Sequence, residues 1–247
     1  MPHSSGSNRA STERPRTSLH RLDVPRLISS GAIRAVTFDV GGTLIKPWPS
    51  VGHVYASVAA THGWPGIPPE TLNRNFSAAW RALKRFRHSR AEWEGLVLST
   101  FDGYLAGRSI RTIFPDLYRH FAEPVAWHLF DDVVPTLKRL RRRGIKLGII
   151  SNWDRRLSAL LRQMRLHDYF DEVVVSCYAG VCKPSRAIFE KAARRLGVPP
   201  RGIVHVGDRP DADVRGAHVA GMHAVLLQRG RATSRPGTIS SLKQLCG

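Results

Sequence analysis

Five short apolar segments rich in β-branched residues alternate with longer segments whose apolar positions recur every three to four residues. The apolar segments are 32–39, 145–150, 173–176, 203–206 and 224–227. The helical patterns between them cover 132–143, 154–165, 185–196 and 211–221, and a short closing helix is expected at 239–245. Apolar strands that alternate with amphipathic helices predict a buried parallel sheet covered on both faces, a doubly wound, Rossmann-like α/β fold.

About a hundred residues separate the first predicted strand from the second, too many for one crossover connection. Within them, 70–87 carries an apolar stripe opposite a basic face, and further helical patterns lie at 53–61, 91–106 and 111–122 without a competing strand signal. We therefore predict a helical subdomain over 47–130, inserted into an α/β domain made of 31–46 and 131–247. Five of the six tryptophans fall in the insertion, where we expect most of them to build a small aromatic core.

The first thirty residues differ from the rest in composition. Residues 1–30 are rich in Ser, Arg and Pro and lack hydrophobic periodicity, so we expect a disordered tail, although such a composition is also typical of organellar transit peptides. The longest apolar runs are far shorter than the roughly 18 residues of a membrane span, so no membrane partner is expected. Three cysteines, Cys177, Cys182 and Cys246, form no even framework, which favours a reducing, cytoplasmic location.

The charge of the chain is unusual for an ordinary globular composition. Its 38 basic and 19 acidic residues give a formal net charge of +19, and the pI is near 11.1. Such a value can indicate a nucleic-acid partner. The excess is spread along the chain, however, and the densest run, 138–144, ends a predicted helix, where cations complement the helix dipole. No specific nucleic acid is expected from charge alone.

Polar side chains follow four of the five predicted strands at their carboxyl ends, where doubly wound sheets bind ligands. In chain order they are Asp39, Ser151 with Asn152, Lys183, and Asp208 with Asp211 and Asp213. Each alone is ordinary, since an aspartate at a strand end is often only the N-cap of the next helix. Together they supply a carboxylate nucleophile, metal-binding carboxylates, and a hydroxyl and a lysine for phosphate oxygens. A magnesium-assisted phosphoryl-transfer site needs these groups.

Four motifs in this order resemble those of a known family. They are FDVGGTL at 38–44, Ser151-Asn152, Lys183-Pro184, and Gly207-Asp208 with Asp213. Their order, spacing and strand context are similar to those of the haloacid dehalogenase-like (HAD) hydrolases. The resemblance spans roughly residues 32–245, and the helical insertion resembles the helical cap of that family.

The resemblance implies a role for each motif residue. Asp39 is expected to attack phosphorus and form an aspartyl-phosphate, on a loop that Thr43 supports and that turns sharply at Gly42. Ser151 and the backbone amide of Asn152 are expected to hold the transferring oxygens. Lys183 is expected to neutralise charge between the nucleophile and the phosphate.

The resemblance also implies a Mg²⁺ cofactor. Its ligands are expected to be Asp39, the backbone carbonyl of Gly41 and Asp208, with Asp213 acting directly or through water. Asp211 is a weaker candidate, because its position also suits the first turn of the next helix.

Position 41 departs from the family pattern. Phosphatases of the family carry a second aspartate two residues after the nucleophile as general acid and base, and this chain has Gly41 there. Such assistance is worth about 10²–10⁴-fold in rate, so low activity is expected unless the cap supplies a substitute. His53 and Asp102 are candidates for that substitute by residue type alone.

The absence of that aspartate leaves three functions open. Dehalogenases of the same family also lack it, because a halide leaves without a proton or a metal. The Gly207-Asp208 pair is typical of the magnesium-binding branch, so we predict a magnesium-dependent phosphatase for a small phosphorylated substrate. The alternatives are a 2-haloacid dehalogenase and a catalytically weakened binding protein with an acidic partner such as RNA.

Overall fold

A six-stranded, all-parallel sheet lies at the centre of the protein. The computed structural model describes residues 23–83, 86–105, 107, 109–231 and 235–247. The strands of these residues are β1 (Ala35–Phe38), β2 (Ile45–Pro47), β3 (Trp127–Leu129), β4 (Lys146–Ser151), β5 (Glu172–Val175), β6 (Ile203–Gly207), β7 (His223–Leu227) and β8 (Thr238–Ile239). The sheet order is β5-β4-β1-β6-β7-β8, and β2 pairs with β3 in a separate antiparallel ribbon.

Helices cover both faces of the sheet and form a second group on their own. They are α1 (Val24–Ser29), α2 (Val51–Thr61), α3 (Pro69–Ala82), α4 (Arg90–Thr100), α5 (Phe114–His120), α6 (Val133–Arg142), α7 (Arg156–Gln163), α8 (Ser176–Ala179), α9 (Arg186–Leu196) and α10 (Gly216–Val219). A π-helical segment lies at Pro210–Arg215, and 3₁₀ turns lie at Ile110–Thr112, Pro124–Ala126, His167–Tyr169, Pro200–Gly202 and Leu242–Leu245.

The central strand β1 is buried on both faces, as its β-branched and aromatic composition predicts. Val36 and Phe38 point into an apolar cluster shared with α1, α6 and α7, whereas Ala35 points into a second cluster with α9 and α10. Successive residues of a strand face opposite sides, so one strand supplies both clusters. The predicted doubly wound α/β fold is confirmed.

Helices α2 to α5 pack around an apolar cluster of their own. Leu72, Phe101 and Leu117 lie at its centre, each at most 1% exposed. The chain passes from the sheet into this helical unit through β2 and returns through β3, which pair from Ile45 with Leu129 to Pro47 with Trp127. No strand was predicted within 47–130, because a three-residue strand is too short to show an alternating pattern.

A helix precedes the first strand, in a region for which the sequence predicts disorder. Helix α1 lies within the segment predicted as a disordered tail, and its Val24 and Ile28 are buried against the sheet. Two apolar residues four apart were too weak a signal to identify it. The remainder of the predicted tail, residues 1–22, lies outside the described residues.

Within the described residues, every helix is too short or too polar to span a bilayer.

Candidate active site

The carboxyl edge of the sheet brings together side chains from three separate connections. Asp39 follows β1, Ser151 ends β4, and Lys183 lies between α8 and α9. Ser151 Oγ donates a 2.9 Å hydrogen bond to Asp39 Oδ1, and Lys183 Nζ donates a 2.7 Å bond to the same oxygen. Asp39 Oδ2 has no hydrogen bond from any residue that the structure describes, so one carboxylate oxygen is held and the other is free.

Lys183 is buried between two carboxylates. Its Nζ also donates a 2.6 Å bond to Asp213 Oδ1. Burial by itself would lower the pKa of Lys183, but the charges of Asp213 and Asp39 outweigh it and raise that pKa. The side chain of Asn152 fixes the main chain here: Oδ1 accepts from Lys183 N at 2.7 Å, and Nδ2 donates to Lys183 O at 3.0 Å. Lys183 is therefore a positioned cation next to the nucleophile.

Asp213 is bonded through both of its oxygens. Besides Lys183, its Oδ1 lies 3.2 Å from His205 Nε2, and its Oδ2 accepts from Arg209 N at 2.9 Å. Thr37 Oγ1 lies 3.0 Å from the other ring nitrogen of His205. Although burial opposes it, the charge of Lys183 holds the pKa of Asp213 far below its usual range. Asp213 thus positions Lys183, and one of its oxygens also belongs to the group of carboxylate oxygens that could hold a metal.

His205 was not identified from the sequence. It is fully buried within β6, and burial lowers its pKa. The available signal was one histidine in a strand of otherwise apolar residues, 203–206.

Asp208 has a carboxylate oxygen without a hydrogen-bond partner among the described residues. Its buried Oδ1 accepts no hydrogen bond within the described part of the chain. Burial, together with the charges of Asp39 and Asp213, raises the pKa of Asp208 to about 7. Ligand oxygens of these three aspartates lie within 4.8 Å of one another. A partly exposed carboxylate with one buried oxygen that no described residue bonds, beside two other carboxylates, is an environment that a hard divalent cation stabilises, so the residues fit such an ion.

Gly42 and Thr43 shape the loop of residues 40–44. Gly42 has φ +78° and lies so close to Asp208 that a Cβ atom would overlap Oδ2. It therefore permits both the turn and the approach of the aspartate. Thr43 is fully buried, its hydroxyl has no partner among the described residues, and its carbonyl accepts from Arg229. Among the described residues, Thr43 therefore forms hydrogen bonds through its main chain and not through its hydroxyl.

Gly41 lies beneath an aromatic ring. A Cβ atom at this position would lie 3.3 Å from Cζ3 of Trp153, and the backbone is outside the left-handed region. Trp153 in turn packs against Trp127, with ring centroids 5.2 Å apart. The edge of an indole thus lies so close to position 41 that a side chain there would require the ring to shift by a few tenths of an ångström.

A cavity of about 330 Å³ opens over Asp39 between the sheet edge and the helical unit. Lys183 and Asp208 lie at its floor, and its walls are predominantly aromatic: Tyr55, Phe76, Trp80, Trp93, Phe114, Tyr118, Phe121, Trp127 and Trp153. Three tryptophans of the insertion, Trp80, Trp93 and Trp127, line this cavity, although most were expected in a closed core. Trp64 is buried in the core, and Trp48 is exposed.

His88, which the sequence did not single out, also lines this cavity. It is 8% exposed, has φ 62°, and its Nδ1 has no partner among the described residues. Burial lowers the pKa of His88 to about 4, so its imidazole is neutral at neutral pH.

The proposed substitutes for the missing acid lie elsewhere. His53 is exposed at the start of α2 and bonds Ser50, and Asp102 is exposed after α4. Neither lines the cavity. Asp211 is also exposed and pairs with Arg215 on its own helical turn. The structure thus brings together Asp39, Ser151, Lys183, Asp208 and Asp213 and leaves these three outside.

Fold and site together define a class: a doubly wound α/β protein with a helical insertion and a carboxylate–lysine site at the carboxyl edge of its sheet. The family model described as haloacid dehalogenase-like hydrolase matches residues 33–221. The chain is 36% identical over 208 residues to the human haloacid dehalogenase-like hydrolase domain-containing protein 3, covering 79% of this chain and 82% of that protein. It belongs to the haloacid dehalogenase-like hydrolase family.

Other similarities concern parts of the chain or the fold. A glyceraldehyde 3-phosphate phosphatase of Methanopyrus kandleri is 45% identical over 108 residues, 41% of this chain and 44% of that protein. Two solved structures share 28% sequence identity with this chain, and each match covers 86% of this chain and 96% of the other chain. One is a HAD phosphatase from Thermococcus onnurineus with a TM-score of 0.61, and the other is a 2-haloacid dehalogenase from Pseudomonas syringae with 0.59. These structures favour neither reaction over the other.

Proposed function

We propose that this protein is a magnesium-dependent phosphatase that hydrolyses a small phosphate monoester through a phosphoryl group on Asp39. The observation that carries the proposal is the group of three aspartates, two of them buried, in which Asp208 Oδ1 has no partner among the described residues while Lys183 serves the other two. A dehalogenation needs no cation there. A phosphoryl group, which brings at least one negative charge of its own, needs one.

Asp39 is the nucleophile in this proposal. Ser151 and Lys183 both donate to Oδ1 and so orient the carboxylate, while Oδ2 stays free to attack. Oδ2 forms a bond to phosphorus as the bond from phosphorus to the ester oxygen breaks, and that oxygen leaves with the electron pair. The ammonium of Lys183 and the hydroxyl of Ser151 stabilise negative charge on the transferring group.

Asp39, Asp208 and the main-chain carbonyl of Gly41 would hold the magnesium ion, and Asp213 would keep Lys183 in place. When bound, Mg²⁺ neutralises charge on the phosphoryl oxygens and on the two aspartates. In the second step a water oxygen attacks phosphorus, the bond to Asp39 breaks, and inorganic phosphate leaves with the water's protons shared between phosphate and solvent. Position 41 offers no base for this water, which limits the rate of the second step.

The name of one relative supports a phosphatase: the archaeal protein that matches 41% of this chain is a glyceraldehyde 3-phosphate phosphatase. A cytoplasmic location, expected from the three free cysteines, is part of the same proposal.

The experiment is a panel of phosphorylated metabolites, including glyceraldehyde 3-phosphate, together with 4-nitrophenyl phosphate. Release of inorganic phosphate is expected with Mg²⁺, and none is expected with a chelator or from Asp39→Asn. Phosphate release that persists in Asp39→Asn would exclude this nucleophile.

The metal site has a test that does not depend on turnover. Mg²⁺ should raise the thermal unfolding midpoint of the wild-type protein, because it relieves repulsion among the aspartates. Asp208→Asn removes a ligand and should abolish that increase. Asp211→Asn, a neighbouring exposed aspartate, should keep it. An equal increase in all three proteins would mean that Mg²⁺ binds elsewhere.

One observation favours a second candidate, 2-haloacid dehalogenation. The apolar cavity and the indole over Gly41 provide surroundings in which a halide could leave without a proton. Turnover of 2-chloropropionate in the presence of a chelator would replace the phosphatase by this function. Turnover of phosphate esters that requires Mg²⁺ would exclude it.

A further inference from the structure

We propose that the substrate is a phosphate monoester of a planar aromatic alcohol, so that the leaving group is an aryl oxide. This inference rests on the phosphatase function proposed above and adds the class of substrate. Three observations lead to it: the ring arrangement in the cavity wall, the indole beside Gly41, and two ring nitrogens that have no partner among the described residues.

The first observation is a row of stacked rings along one wall. Trp80 stacks on Phe76 with centroids 5.9 Å apart at 17°, and on Trp93 with centroids 5.9 Å apart at 25°. Trp127 and Trp153 add further aromatic surface. Aromatic surfaces of this extent bind flat apolar groups by burial and ring contacts and offer little to a polyhydroxylated chain. The volume of about 330 Å³ exceeds the ~150 Å³ cavity that holds benzene, so a ring and a phosphoryl group both fit.

The second observation concerns the proton that a leaving oxygen requires. An alkoxide needs a general acid, whereas an aryl oxide has a low enough pKa to leave unprotonated. The ring of Trp153 lies over Gly41, where the acid of a family phosphatase would project. The chain therefore has no acid at position 41, and the ring of Trp153 beside it extends the aromatic surface; both features favour an aryl ester.

The third observation is a pair of buried polar atoms in the aromatic wall. Trp93 Nε1 and His88 Nδ1 have no hydrogen-bond partner within the described ranges, and their rings lie 5.8 Å apart. Leaving such groups unpaired costs free energy, and His88 also adopts φ 62°, which is strained for a histidine. An oxygen substituent on the bound ring could accept from the indole N–H. The wall therefore suits an aromatic ring that carries a polar group better than a bare hydrocarbon.

Four esters separate the two properties of an aryl oxide. Phenyl phosphate is aromatic with a good leaving group, and benzyl phosphate is aromatic with a poor one. Trifluoroethyl phosphate has a better leaving group than propyl phosphate, and neither is aromatic. With Mg²⁺ present, both aromatic esters should show KM values about tenfold lower than the other two. Because all four esters form the same phosphorylated Asp39, their leaving groups are compared by single-turnover phosphorylation of Asp39, in which phenyl phosphate should react fastest. Equal KM values across the four would overturn the substrate class and leave the phosphatase intact. No phosphate release from any of them would overturn both.

Variants of the wall link this preference to named rings. Trp80→Leu should raise KM for phenyl phosphate about three- to tenfold, the range of an aromatic contact, and raise KM for propyl phosphate less. Trp80 is only partly buried, so its loss is tolerable for folding, and Phe76→Leu is a second variant of the same row. Trp48→Leu, an equal change at an exposed position outside the cavity, should leave both values unchanged. If Trp80→Leu and Phe76→Leu both fold and both keep the wild-type KM for phenyl phosphate, the inference is wrong.

Discussion

At the floor of the cavity, Lys183 bonds both Asp39 and Asp213 in a charged network beside Asp208, whose Oδ1 has no donor among the described residues. In the aromatic wall, the groups without a described partner are neutral ring nitrogens, those of His88 and Trp93. The floor is assembled before any substrate arrives, with its charges fixed in a buried network. The wall has unfilled polar capacity and a large apolar surface. The difference separates two tasks: the sheet edge provides the chemistry in a preorganised form, and the helical unit provides the discrimination.

Removing the central cation should have the largest effect on the floor. In Lys183→Met the carboxylates of Asp39 and Asp213 lose their shared buried partner. The free energy of unfolding should fall by about 3–5 kcal/mol, and phosphatase activity should fall by about 10³-fold. Denaturant titration and phosphate release measure the two effects. Lys243→Met, at an exposed position, is the matched control. A variant as stable as the wild type would show that the floor is not a coupled network.

Restoring an acid above the floor should sharpen the contrast. Gly41→Asp places a carboxyl group where the family has one, with no positive φ to oppose it, and the ring of Trp153 must yield by a few tenths of an ångström. In single-turnover measurements, phosphorylation of Asp39 by propyl phosphate should become about 10²-fold faster. Phosphorylation by phenyl phosphate should gain much less, since its leaving group needs no proton. If the variant folds and both rates stay unchanged, the missing acid does not limit this enzyme.

Outside the active site, a buried aspartate should contribute more to the free energy of unfolding than an aspartate near the surface. Asp132 accepts from Arg229, Ser241 Oγ and Leu242 N, whereas Asp116 pairs with His62 near the surface of the helical unit. Asp132→Asn should lower the free energy of unfolding by about 2 kcal/mol, and Asp116→Asn should leave the unfolding midpoint nearly unchanged. Equal losses in the two variants would contradict this distinction.

The pH dependence of that loss follows from the pKa of Asp132. Burial would raise this pKa, but Arg229 and the other donors lower it below its usual value. A carboxyl group whose pKa is lowered on folding stabilises the protein above its unfolded pKa, about 3.9, and this stabilisation disappears as pH falls through the folded value. The difference between wild type and Asp132→Asn should therefore be constant from pH 8 to 5 and shrink below about pH 4.

The smallest effect is expected from the net charge of +19. If this charge reflects composition alone, binding to RNA should be weak and independent of sequence, and it should decrease steeply between 50 and about 200 mM salt. Fluorescence anisotropy with two unrelated RNAs measures this. Submicromolar binding of one RNA at physiological salt would support the alternative of a binding protein.

The floor of the site could be predicted because each of its residues is marked locally. Asp39, Ser151 and Asp208 directly follow or end apolar strands, and parallel strands bring their carboxyl ends to one edge. His205 could not be found in this way, because its position inside a buried strand resembles any other position of an apolar run.

The wall could not be predicted from periodicity. An amphipathic pattern identifies the apolar face of a helix, but not whether that face meets protein or a cavity. Leu72 and Trp80 belong to the same apolar stripe of α3, yet Trp80 lines the cavity and Leu72 is in the core. The position of Trp153 over Gly41 depends on the packing of Trp127 from a distant segment, and no local signal encodes such a contact.

The helical unit is attached to the sheet by two chain passages, β2 and β3, and these are hydrogen-bonded to each other. Two independent tethers would allow tilting in many directions, whereas a bonded ribbon acts as one hinge whose strands must bend together. Trp127 lies in this ribbon and packs on Trp153. Rotation about the hinge would draw the two indoles apart, open the aromatic wall and uncover Gly41 in the same movement. One rotation would therefore change both the access of substrate to Asp39 and the surroundings of the leaving group.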